Sequence, residues 1–215
     1  MPHDMILVGG EKGGTGKTTI ATNLAALCAA AGEDVCLVDT DPQGSASYWV
    51  ALRAEADVPQ LASVRLHGQG VVAQLRDLAG RYGRVIVDAG GRDSVELRAA
   101  MTVAPRLMVP IQASQFDTWT LEAMSKLVEQ AGGFNPDLRT QLVINRASPN
   151  PRVSEADDVR ELVAEYPAFA AMPLLIRDRI AYRRAAREGL AVTEDGGDPK
   201  AADEITRVHS EVTQA

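Results

Sequence analysis

The sequence predicts a single α/β domain, a mostly parallel twisted sheet with helices on both faces. Three observations predict it. Apolar runs of strand length alternate with amphipathic runs of helix length almost throughout the chain. The 215 residues are 46% hydrophobic and 24% charged but only 4% aromatic. The core is therefore mostly Ala, Val, Leu and Ile, which suits a buried parallel sheet. A glycine-rich segment also stands between the first strand-like and the first helix-like run.

Met5–Gly9 is the first strand. Thr18–Ala31 is a helix with Ile20, Leu24, Leu27 and Ala31 on one face and Gly32 as its stop. Val35–Asp39 is the second strand, and Leu61–Leu66 a weaker third. Val71–Tyr82 is an amphipathic helix ending at Gly83, and Arg84–Asp88 a strongly apolar strand. Ser94–Val103 reads as helix and Arg106–Ile111 as strand, with Pro110 near its end. Leu121–Ala131 is a helix stopped by Gly132 and Gly133, followed by a strand over Gln141–Asn145. Ser154–Glu165 is helical, Phe169–Leu175 is the last strand, and Arg179–Glu188 and Ala201–Val212 close the chain as helices. The segment Glu194–Ala201 is expected to be the least ordered. Ligands of such sheets sit beyond the carboxyl ends of the strands.

A formal net charge of −7 is not the footprint of an obvious nucleic-acid binder, so any DNA contact needs a local basic patch. The two cysteines, Cys28 and Cys36, lie in a helix and a strand with no metal-ligand company nearby in the sequence. They read as small buried hydrophobes in a reducing compartment. The start of the chain has no signal-peptide pattern, and no apolar run approaches the ~20 residues that span a bilayer. These features predict a cytoplasmic protein.

The segment Gly10-Glu11-Lys12-Gly13-Gly14-Thr15-Gly16-Lys17-Thr18-Thr19 carries the chemistry. It joins a strand to a helix, the context a phosphate-binding loop requires. Its glycines let backbone N–H groups close around phosphate oxygens, and the helix start adds its positive dipole end. Gly13, Gly14, Thr15, Gly16, Lys17, Thr18 and Thr19 are thus the expected nucleotide contacts. Lys17 reaches the β- and γ-phosphates, and the Thr18 hydroxyl binds Mg²⁺. The strict G-x-x-x-x-G-K-[ST] pattern wants glycine at position 11, where this chain has Glu11. What it matches is K-G-G-x-G-K-T-T. That resembles the deviant Walker A motif of the ParA/MinD ATPases. The resemblance implies ATP and Mg²⁺ as ligands, an ATP-dependent homodimer, and a Lys12 that crosses to the partner's nucleotide.

Asp39-Thr40-Asp41-Pro42-Gln43-Gly44 follows the second strand. Carboxylates at a strand's carboxyl end can hold Mg²⁺ or its water, or orient an attacking water. Aspartates there also serve as turn or N-cap residues. D-x-D-P-Q-G resembles the first switch of ParA proteins. By that match Asp41 positions the hydrolytic water and Asp39 supports the metal shell. The strand ending in Asp88-Ala89-Gly90-Gly91 resembles a Walker B strand and second switch, with Asp88 holding a Mg²⁺-bound water. Asn145, ending Leu142-Val143-Ile144-Asn145, resembles the family's adenine-contacting asparagine. Capping of backbone groups is an equally open reading for it.

With its first strand beginning near residue 5, the chain resembles the short ParA type, without an N-terminal helix-turn-helix domain. The final residues 205–215 lack the basic amphipathic pattern of a membrane anchor. Arg177, Arg179, Arg183, Arg184 and Arg187 form the best candidate DNA patch. Arg179, Arg183 and Arg187 are spaced to share one helical face, although a solvated face with local ion pairs fits the same spacing. The resemblance implies a plasmid- or chromosome-partitioning or cargo-positioning ATPase, nucleoid-associated through non-specific DNA binding. A ParB-like centromere-binding protein or cargo adaptor would stimulate its hydrolysis. A regulator of another machine, in cellulose synthesis, conjugation or chemoreceptor placement, would share the ATP site without binding DNA. A small-molecule synthetase on the same scaffold is disfavoured by the D-x-D-P-Q-G switch.

Overall fold

In the computed structural model, which describes residues 4–91, 93–112, 118–150 and 155–214, seven strands form one sheet in the order β3-β2-β4-β1-β5-β6-β7. The strands are β1 (Met5–Val8), β2 (Val35–Asp39), β3 (Ala62–Arg65), β4 (Arg84–Asp88), β5 (Arg106–Gln112), β6 (Arg139–Ala147) and β7 (Ala170–Arg177). Every pairing is parallel. The helices are α1 (Lys17–Ala30), α2 (Ser45–Arg53), α3 (Val71–Arg81), α4 (Val95–Met101), α5 (Thr118–Gly132), α6 (Glu155–Val163), α7 (Ile180–Ala186) and α8 (Pro199–Gln214). Residue 154, where the sequence reading begins the helix that corresponds to α6, lies outside the described residues.

Strand residues alternate between two cores because side chains alternate across a strand. On β1, Ile6 and Val8 face the core under α1, α2, α7 and α8, whereas Met5 and Leu7 face the core under α3 to α6. The chain leaves β1 toward β2 and β3, returns to β4 beside β1, and then runs out through β5, β6 and β7. The direction of winding thus reverses next to β1. A crevice opens at such a point beyond the strands' carboxyl ends, and both the glycine loop after Val8 and Asp88 lie there.

Three features depart from the sequence reading. First, α1 buries Ala21, Ala25 and Cys28 as well as Ile20 and Leu24, while Ala31 is exposed. It is enclosed by the sheet, α2 and α8, so a one-sided stripe understates it. Second, α2 follows Gly44 where the sequence suggests only a loop. Its buried residues are Ala46, Trp49 and Arg53. The spacing is helical, but the arginine hides the stripe. Third, the segment 194–201 is tied down. Glu194 pairs with Arg53, Asp195 with Arg184, and Asp198 with Arg179. Pro110 sits inside β5, past the last β1 pair at Val8 and Met108. A strand neighbours β5 on only one side there, so a missing N–H is tolerated.

Arg53 is the largest fully buried polar side chain described. It makes a bidentate pair with Glu194 at 2.6 and 2.7 Å, donates to the carbonyls of Pro59 and Gly189, and stacks on Trp49 at 5.1 Å. All of its donor nitrogens are satisfied, which is the condition for tolerating a buried charge. Arg53→Ala is expected to lower the unfolding free energy by about 3 kcal/mol, the lower range for removing one partner of a buried ion pair. The midpoint of a urea melt at unchanged slope checks this. A loss below about 0.5 kcal/mol, typical of surface substitutions, would contradict it.

Candidate functional site

The loop from Gly9 to Gly16 leaves β1 and enters α1 through Gly16, whose φ of 93° is left-handed. Only glycine suits that position, because a Cβ there would also collide with Nδ2 of Asn145. The loop's carbonyls are held from outside. Asn145 Nδ2 donates to Thr15 O at 2.6 Å, Gln112 Nε2 to Gly14 O at 2.6 Å, and Arg146 Nη1 to Gly14 O at 3.3 Å. Lys17 Nζ donates to Lys12 O at 2.7 Å. The first N–H groups of α1 are the ones a helix cannot satisfy internally. Together with the dipole end, they make this cleft an anion site.

Gly13, Gly14, Gly16, Lys17, Thr18 and Thr19 line that cleft, and Asp41 and Gly91 close it. A Cβ on Gly91 would come within 2.8 Å of Gly13 Cα, so the segment after β4 lies directly against the loop. Thr15 is buried behind the loop and, with Lys12, lines a neighbouring groove against β5 and α5. Lys12 is therefore not part of the wall of its own chain's cleft. Lys17 is 6% exposed. Burial pulls its ammonium below the ordinary lysine value, opposed by the charges of Asp88 and Asp41.

Asp88 ends β4 and is fully buried. Its Oδ2 accepts from the Thr18 hydroxyl at 2.7 Å, while its Oδ1 has no partner. Burial pushes its carboxyl up to about 7, against the Thr18 hydrogen bond and with Asp39 adding to the rise. A hydroxyl and a carboxylate with an unpartnered oxygen, set beside an anion site, are the hard oxygen donors that suit Mg²⁺. Asp41 is half-buried, and its Oδ1 accepts from the Gln43 N–H at 2.9 Å.

Asp39 is placed differently from its expected role. Its Oδ1 accepts from the Asp41 N–H at 3.1 Å, and its Oδ2 accepts both the N–H and the hydroxyl of Ser47 at 2.8 Å. Both oxygens hold the switch turn and the first turn of α2, so Asp39 does the work of a turn and capping aspartate. Asn145 likewise buttresses the loop backbone. Gln112 and Ser47 went unnoticed in the sequence. Gln112 is the register neighbour of Asn145, and a polar residue closing an apolar strand was the available signal.

The arginine segment is also rearranged. Helix α7 covers only Ile180–Ala186, with Arg179 as its extended N-cap and Arg187 as its C-cap, so the three-arginine helical stripe does not form. Arg177 and Arg179 both bond Glu204 of α8. Arg183 pairs with Asp178 at 3.1 Å, and Arg184 pairs with Asp195. Arg177, Arg179 and Arg183 border the cleft itself. Asp178 lies inside the arginine segment, whereas Glu204 and Asp195 come from α8 and the turn before it, beyond that segment. Among the described residues no helix is long and apolar enough to cross a membrane.

Comparison with known proteins places this geometry. The family model for the CobQ/CobB/MinD/ParA nucleotide-binding domain matches residues 6–192. The "Maintenance of carboxysome distribution protein A" of Halothiobacillus neapolitanus is 31% identical over 212 residues, covering 96% of this chain and 95% of that protein. The protein of the same name from Gloeobacter kilaueensis is 36% identical over 190 residues, covering 85% and 81%. Among solved structures, apo McdA from Cyanothece superposes with a TM-score of 0.80 at 16% identity, covering 97% of this chain and 98% of that one.

Asp88 gives the site a pH signature of definite sign. Its carboxyl titrates at about 7 when folded and at about 3.9 when unfolded. Between those values the folded chain keeps a proton that the unfolded chain has released. The group's contribution is therefore full below about pH 4 and is lost as pH rises through about 7. The nucleotide-free protein is expected to lose thermal stability between about pH 5 and about pH 7.5, and Asp88→Asn is expected to flatten that fall. Melting curves across this range decide it, and an unchanged slope in the variant would contradict the assignment.

Proposed function

This chain belongs to the CobQ/CobB/MinD/ParA family of nucleotide-binding domains, and from that premise we propose that it is an ATPase whose ATP-closed dimer positions a cargo inside the cell. The observation that carries this reading is the K-G-G-T-G-K-T-T loop, held by Gln112 and Asn145 and joined to Asp88 through Thr18. Thr18 and Asp88 hold Mg²⁺, which when bound neutralises charge along the phosphate oxygens. Lys17 reaches the β- and γ-phosphates. Asp41, at the mouth of the cleft, orients the water that attacks the γ-phosphorus as ADP departs. Lys12 stands outside its own cleft and contacts the partner's phosphates across the dimer. Asn145, which also lines the cleft, is the candidate adenine contact.

The two relatives from Halothiobacillus and Gloeobacter are named for carboxysome distribution. They favour a cargo-positioning role served by an adaptor protein over a role restricted to plasmid DNA. Holding such a dimer on the nucleoid requires non-specific DNA contacts. Arg183, Arg184 and Arg187 are the exposed members of the arginine segment and supply them, doubled by dimerisation. The pairing of four of the five arginines with acids favours a second reading, in which the same ATPase docks on a surface other than DNA.

Two outcomes test these roles. Asp41→Ala is expected to bind ATP as the parent does while turnover falls at least about 100-fold, the scale of losing a group that assists proton transfer. Hydrolysis at the parental rate would remove Asp41 from the mechanism. In co-sedimentation with DNA, ATP-dependent and salt-sensitive binding that is lost in Arg183→Glu/Arg187→Glu is expected. Absence of binding in every nucleotide state would leave the ATPase standing and favour the second reading.

A further inference from the structure

Cys28 has no metal-ligand company along the chain, but the fold brings it some. It lies in the last turn of α1, eleven residues after Lys17, which at the helical rise is about 16 Å from the phosphate loop. Glu33 follows in the turn before β2, and His209 arrives on α8. Cys28 Sγ is 3.3 Å from His209 Nε2. One ligand atom from each of Cys28, Glu33 and His209 lies within 4.8 Å of the other two. We propose that these three residues form a zinc-class divalent metal site, separate from the nucleotide site, that clamps the end of α1 to α8.

The donor set carries the proposal. A thiolate, an imidazole and a carboxylate, with a fourth position for water, suit Zn²⁺ and its neighbours rather than Mg²⁺. Bond lengths of about 2.3 Å to sulfur and about 2.0 Å to nitrogen at a tetrahedral angle put the two ligand atoms about 3.5 Å apart, close to the separation found. Cys28 is buried while Glu33 and His209 are half-buried, which leaves a route from solvent. Arg84 Nε donates to Glu33 Oε2 at 2.7 Å, and Arg84 Nη1 pairs with Asp4 Oδ2 at 2.9 Å. That fixes the carboxylate beside the cluster, as outer partners of metal ligands do. Burial pulls the His209 ring below the ordinary imidazole value, the direction that favours the neutral, ligating form. Burial also pushes the Cys28 thiol up to about 12, so metal binding must displace its proton. Cys36 belongs to the core on the other side of the sheet and takes no part.

The test is a Co²⁺ titration of the full chain in excess Mg²⁺, which occupies the oxygen-only site beside Asp88. The expected result is a near-ultraviolet sulfur-to-cobalt charge-transfer band that saturates at about one ion per chain, the stoichiometry of a single site. The band should persist in Cys36→Ala, vanish in Cys28→Ala, and require at least about 10-fold more Co²⁺ in His209→Gln. His209 is only half-buried on α8, so that variant tests the site without a change inside the core. Zn²⁺ should raise the melting temperature of the parent and not of His209→Gln. No sulfur band in the parent, or a band and a Zn²⁺-induced shift unaffected by His209→Gln, would overturn the proposal.

Discussion

The hydrogen bond from the Thr18 hydroxyl to Asp88, 2.7 Å long, joins the first turn of α1 to the end of β4, and the rest of the site is arranged around it. A carboxylate buried without a cation in contact is costly, and it responds by holding its proton more tightly. Asp88 does so, with its second oxygen unpartnered. The strand order sets this up by laying β4 against β1, with Val8 and Asp88 in register, so the loop after one strand meets the carboxylate ending the other. Lys17, drawn below its ordinary value by burial, stands over the same floor. The nucleotide-free site thus keeps charges of both signs under-solvated, a state that a phosphate with its cation relieves.

From that floor a continuous set of contacts runs to the far side of the molecule. Asp39 binds the turn at Asp41 and the start of α2 at Ser47. Helix α2 ends in Arg53, locked to Glu194 and to the carbonyls of Pro59 and Gly189. Residues 187–198 lead on to α8, whose Glu204 gathers Arg177 and Arg179 at the edge of the cleft. The turn at Asp41 and the surface formed by α7 and α8 are therefore linked by one connection of side-chain contacts and chain. In the proposed cycle, loss of the γ-phosphate relaxes that turn and reaches both ends of the connection.

Much of this was legible in the sequence, because it is written locally. The phosphate loop, the paired aspartates after β2 and all seven strands follow from short-range pattern, and the parallel sheet follows from strand–helix alternation, whereas the strand order does not. What was not legible depends on residues distant in the chain. Helix α2 was hidden because one of its three buried positions is an arginine whose acid lies 141 residues away. The arginine cluster looked like a basic stripe because Glu204, Asp195 and Asp198 lie outside its sequence window. Cys28 looked solitary because His209 is 181 positions off. Asp39 and Asn145 sit where sequence placed them, yet their side chains turn to backbone partners, and a pattern match carries no side-chain direction.

We propose that a second copy of the chain completes the phosphate loop through Lys12. Sedimentation velocity of the parent with ATP and Mg²⁺, with ADP, and without nucleotide tests it most directly, with Lys12→Ala run alongside. A dimer is expected only with ATP, weakened in the variant while nucleotide still binds. A monomer in all three states, or an ATP-dependent dimer indifferent to Lys12→Ala, would contradict it.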